Sequence, residues 1–144
     1  MASTTVNLNQ LMDQQVRIFG TWNGTTVTVT SAQIVPESFS IGGNSSIGNT
    51  VHFRSHGTTG DLAINLAALG TSLVVPFADL TVLLNPASAV VLGFGLLDNN
   101  GEFANDFDIP NVTSLVGVRV FGQGAIGLAN GSFYSTNLDA KQLQ

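Results

Sequence analysis

Two apolar runs, Leu80–Leu84 and Ala89–Leu97, lie close together in a chain whose other apolar residues mostly alternate with polar ones. Neither run approaches the roughly 20 continuous apolar residues that a membrane-crossing helix needs. Their length suits strands buried in the middle of a β-domain. The polar stretch Asp98-Asn99-Asn100-Gly101 follows and is expected to close a hairpin to Glu102–Ile109, where Phe103, Phe107 and Ile109 share a parity. Gly93 and Gly95 interrupt the second run, and a glycine inside a strand marks a bulge or a close approach by another group.

The flanking sequence repeats the same period. Val16, Ile18 and Trp22 alternate on one side of Asn23-Gly24, and Val27 and Val29 alternate on the other. Asn-Gly suits a type I′ turn, which predicts a hairpin pairing Gln15–Trp22 with Thr25–Val35. Upstream, Thr5–Asn9 and Leu11-Met12 suggest a first strand or a helical turn. Pro36–Thr50 is rich in turn formers, with a short strand expected near Phe39–Ile41. Thr50–Arg54 reads as a strand with Val51 and Phe53 on one face, and in Asp61–Leu66 the side chains of Leu62, Ile64 and Leu66 share a face. Leu73–Phe77 and Leu80–Leu84 form one bent strand or two, Pro76 favouring an edge or a bend. A helical turn capped by Asn111 is expected over Pro110–Leu115. The strands Val116–Phe121 and Ser132–Leu138 come last, before a polar tail, Asp139–Gln144, expected to fray.

About nine or ten short strands with turn signals roughly every 8–12 residues predict an all-β fold, an antiparallel β-sandwich of jelly-roll type. One domain over residues 1–144 accommodates them, with 1–35 as an N-terminal strand and hairpin and 50–138 as the main sandwich. A soft boundary falls at Pro36–Asn49.

Charge narrows the function classes. Only 9% of residues are charged, and four are basic, Arg17, Arg54, Arg119 and Lys141, for a net charge of −5. Nucleic-acid binding needs clustered Lys and Arg, as does docking on anionic lipid, so neither partner is expected. There is no cysteine, hence no disulfide frame and no thiolate metal site. Ser, Thr, Asn and Gly supply the polar surface, a composition pointing to an extracellular or cell-surface setting, although MASTTVNLNQL carries no leader pattern. Glycosylation sequons occur at Asn23, Asn44, Asn111 and Asn130.

Candidate chemistry is sparse. Asp98, Asn100 and Glu102, with Asp106 and Asp108 beyond them, could supply oxygens to calcium, but the glycine of an EF-hand belongs at the sixth position and Gly101 is the fourth from Asp98. The same residues suit a hairpin turn leading into a solvated strand face, and no cofactor is expected. His52 and His56, near Ser55 and Asp61, invite a triad or zinc site, yet zinc lacks a third histidine and no Gly-x-Ser-x-Gly elbow exists. An enzyme is not expected. Trp22 reads either as a platform for a sugar ring or as an apolar plug at the end of the sandwich. Few lysines block sheet edges, and mean hydropathy is +0.32. Together these favour self-association into a homo-oligomer, filament or surface coat.

From about Asp61 to Leu138 the order of several segments resembles the C-terminal β-domains of large secreted proteins of planctomycetes and similar bacteria. The matching segments are Asp61-Leu62 with Leu66-Ala67-Ala68-Leu69-Gly70, Leu80 with Leu83-Leu84-Asn85-Pro86, and the Asp98–Gly101 turn. Ile109-Pro110-Asn111 with Leu115-Val116-Gly117, then an aromatic and Gln123, and Ser135-Thr136-Asn137-Leu138 complete the series. The cysteine before the second of these strands and the tryptophan near the glutamine, frequent in those domains, are absent. The resemblance implies an exported, non-catalytic β-sandwich and no site residues. The expected function is a structural, self-assembling extracellular module, with a carbohydrate-binding or adhesive module as the alternative and a virion coat or decoration protein as the third.

Overall fold

The computed structural model describes residues 16–34, 36–77 and 80–144. The strand or helical turn expected within residues 1–15 lies outside them. Eleven strands are present among the described residues, and the chain divides into two compact units, Met1–Pro36 and Glu37–Gln144.

The first unit contains the expected hairpin. β1 (Val16–Trp22) and β2 (Val27–Ile34) pair antiparallel from Val16 opposite Ile34 to Trp22 opposite Val27, with a bulge between Phe19 and Gly20. The connection is a four-residue loop in place of a two-residue type I′ turn. Asn23 explains the difference: its Oδ1 accepts from the Thr25 and Thr26 N–H groups at 3.0 and 2.8 Å, drawing both into the loop.

The second unit is an antiparallel sandwich. Its strands are β3 (Ser38–Gly43), β4 (Thr50–His56), β5 (Leu62–Ala68), β6 (Thr71–Phe77), β7 (Leu80–Leu84), β8 (Val90–Leu96), β9 (Glu102–Asp108), β10 (Arg119–Gly127) and β11 (Phe133–Gln142). One sheet has the order β3-β4-β9, the other β11-β10-β5-β8, and β6 and β7 form a separate hairpin. The described strands thus form an all-β antiparallel sandwich, as expected. Between the sheets, Phe39, Ile41, Val51 and Phe53 meet Ala67, Ile109 and Leu143. Ala63, Leu97 and Ile126 form a second cluster. Large side chains from β3 and β4 fill this space, so β5 turns its small residues Ala63, Asn65 and Ala67 inward. Leu62, Ile64 and Leu66 do share a face, the one directed away from β3-β4-β9.

Several local expectations change. Asp98–Gly101 is a turn, with Gly101 N–H donating to the Asp98 carbonyl at 2.9 Å, but β8 pairs with β5 and β9 with β4. The turn is therefore an arch between sheets and not a hairpin. Gly93 and Gly95 show why: a Cβ at Gly93 would strike the Asn105 side chain, and one at Gly95 would lie 2.5 Å from the Phe103 ring. These glycines accept side chains from the opposing sheet. β8 is consequently an edge strand, not a buried central one, and β7 pairs with β6. The turn at Thr113–Leu115 is a 3-10 helix preceded by Val112 with no side-chain cap, so Asn111 does not cap it. The tail does not fray: β11 continues to Gln142, Leu143 is buried, and Gln144 N–H donates to the Ser45 carbonyl at 2.9 Å.

Candidate interaction surface

Alternation along β4 buries Val51, Phe53 and Ser55 and turns Thr50, His52, Arg54 and His56 outward. The β4–β9 register then places Asp108 opposite Thr50, Asp106 opposite His52 and Glu102 opposite His56. Thr50 Oγ1 donates to Asp108 Oδ1 at 2.6 Å, and His52 Nδ1 donates to Asp106 Oδ1 at 2.6 Å. Glu102 lies between Arg54 Nε at 3.5 Å and His56 Nδ1 at 3.8 Å. The acidic run and the histidine pair thus belong to one cross-strand ladder of polar side chains. Four residues of strand hold His52 and His56 roughly 13 Å apart. Ser55 points the other way, into the core, where its hydroxyl donates to Asn65 Oδ1 at 2.6 Å.

Of the calcium candidates, Asp98 and Asn100 meet in the turn, Asn100 Nδ2 donating to Asp98 Oδ2 at 3.4 Å. Asp98 Oδ1 accepts from the backbone N–H groups of Asn100 at 2.8 Å and Glu102 at 3.0 Å. The Glu102 N–H, then the Asn100 N–H, hold the Asp98 carboxyl below its ordinary pKa. The Glu102 side chain meanwhile reaches across to β4. Among the described residues no three His, Asp or Glu side chains converge.

Trp22 is 63% exposed beside the hairpin loop. Ile18, Phe19 and Val27 are also exposed, giving the hairpin an apolar surface. The sequons have a local structural role. Asn23, Asn44 and Asn130 each accept, through Oδ1, from the N–H of the Ser or Thr two residues on. That is the Asx turn, which draws on the same residues as the sequon.

The apolar surface lies mainly on β5 and β8. The register sets Leu96 beside Leu62, Phe94 beside Ile64 and Val91 beside Leu66, all on the outward face. Phe94, Leu96 and Val91 are 73%, 65% and 61% exposed. The other half of this sheet, β10 and β11, is covered by β7. Gln123 on β10 accepts from Leu83 N–H at 2.9 Å and donates to the Thr81 carbonyl at 3.0 Å, and Ser135 Oγ accepts from Thr81 N–H at 3.1 Å. Within Glu37–Gln144 no described strand gives β5 and β8 an equivalent cover. Between the sheets, beside Val90 and Leu92, an apolar cavity of about 340 Å³ opens against Phe107, Leu115 and Val118. This explains why Phe107 is half exposed although it shares the parity of Ile109.

The sequence does carry a sign of the β8 face. In Gly93-Phe94-Gly95-Leu96 the bulk falls on one parity and glycine on the other, which fits a strand whose inward face receives another strand's side chains. No family model, curated protein or solved structure matches this chain.

Proposed function

We propose that the chain is a non-enzymatic, extracellular structural module that assembles with copies of itself into an oligomer, filament or surface coat. The carrying observation is the bare apolar half-sheet at Leu62, Ile64, Leu66, Val91, Phe94 and Leu96. Contiguous apolar surface of this kind is normally covered by a partner. β-Sandwiches serve many unrelated functions, so the proposal rests on this surface and not on the fold. A low charge content and the resemblance to exported bacterial β-domains support an extracellular setting. A virion coat or decoration subunit would use the same surface.

Light scattering during size-exclusion chromatography tests the proposal, with negative-stain microscopy to give the form of the assembly. A mass well above 15.0 kDa that rises with concentration is expected. A monomer at every concentration would contradict it. The exposure of Trp22 favours one alternative, a carbohydrate-binding or adhesive module. That function requires a monomer whose Trp22 emission changes on titration with a polysaccharide.

A further inference from the structure

We infer that two copies join by pairing their β8 strands antiparallel about a two-fold axis, making one continuous eight-stranded sheet from two four-stranded ones. The inference rests on the self-assembly reading and names the surface and geometry it would use.

The two sheets end at four strands, β3, β9, β11 and β8, and three of these ends are guarded. β3 and β11 close on each other through side chains. Asn137 bonds the N–H and carbonyl of Phe39, Asp139 Oδ2 accepts from Ile41 N–H at 2.7 Å, and Lys141 Nζ donates to the Gly43 carbonyl at 2.7 Å. β9 carries Glu102, Asp106 and Asp108, and charge on an edge strand opposes pairing with another copy. β8, Val-Val-Leu-Gly-Phe-Gly-Leu, has neither charge nor proline.

About a two-fold axis residue i of an edge meets residue j of the copy and j meets i, so an edge charged along its length repels its copy and an uncharged one does not. The outward neighbours on β5, Leu62, Ile64 and Leu66, are uncharged as well. Pairing sets Val91, Phe94 and Leu96 of one copy beside those of the other on the outward face, so cross-strand apolar contacts add to the paired backbone. Backbone hydrogen bonds along β8 fix the orientation, as in other strand additions.

The test compares full-length wild type with Val91→Lys, Phe94→Lys and Val27→Lys, the last placing the same charge on the exposed hairpin. Each is followed by light scattering over a concentration series, with far-UV circular dichroism to verify the fold. Pairing through β8 requires a dimer in wild type, a dissociation constant at least about tenfold weaker in both β8 variants, and no change in Val27→Lys. As the natural chain has no cysteine, Phe94→Cys adds a second readout that does not depend on lysine. Bifunctional thiol reagents spanning about 20 Å, close to the length of the strand, should join two copies covalently. If assembly persists unchanged in the β8 variants, or is lost in Val27→Lys instead, the β8 geometry is overturned while self-assembly stands. A wild-type monomer at every concentration overturns both.

Discussion

Asn137 on β11 bonds both backbone groups of Phe39 on β3, accepting from its N–H at 2.8 Å and donating to its carbonyl at 2.9 Å. A side-chain amide here replaces a missing strand. Removing it leaves a partly buried donor and acceptor without partners, at about 1–3 kcal/mol. Asn137→Ala is therefore expected to lower the melting temperature by several degrees. An unchanged thermal transition would show that water replaces the amide without loss.

Asn65 is fully buried between the sheets. It donates through Nδ2 to the Phe53 carbonyl and to Asn105 Oδ1, both at 2.9 Å, and accepts from Ser55 Oγ. Asn65→Leu strands these groups in the core and should destabilise by roughly 3 kcal/mol or more. Ser55→Ala alone should lose about 1 kcal/mol, and chemical denaturation of the double variant should be non-additive. Additive losses would mean that the two residues do not act as one network.

Asp98 ties its own turn together through the Glu102 and Asn100 N–H groups, which depress its pKa in the folded state. A carboxyl with a folded pKa below its unfolded one contributes stability above the unfolded value, and that stability is lost as pH falls through the folded value. Asp98→Ala should thus melt below wild type at neutral pH, with the gap closing in acid beneath the ordinary aspartate pKa. Asp98→Asn, which keeps an acceptor oxygen, should fall between them. A gap that is constant with pH would remove the charge from the explanation.

Gly24 has φ +101° and no atom within 4 Å of where a Cβ would sit. Substitution there meets backbone strain without a clash. Gly24→Val should weaken the β1–β2 hairpin by about 1–2 kcal/mol, seen as faster amide exchange in residues 16–34. Unchanged exchange would mean that the loop adopts another conformation at little cost.

Legibility of the fold followed the dryness of each strand face. Val51 and Phe53 against His52 and Arg54 marked β4 because one of its faces is buried and the other wet. Asp98–Gly101 was legible as a turn, but turn chemistry is the same whether the flanking strands pair or part, so its arch was not. β8 looked like a central strand because an uncharged apolar edge has the composition of a buried strand. Asn137, Asp139 and Lys141 looked like the start of a polar tail, since their alignment with β3 depends on contacts nearly 100 residues away in sequence.

Amide hydrogen exchange along β8 at rising protein concentration tests the self-assembly most directly. Half of the β8 amides face β5 and half face outward. Pairing of β8 with its own copy predicts that the outward set exchanges fast in dilute solution and becomes protected as concentration rises, while the set facing β5 stays protected throughout. Outward amides that exchange equally fast at every concentration, in a sample whose mass shows assembly, would contradict it.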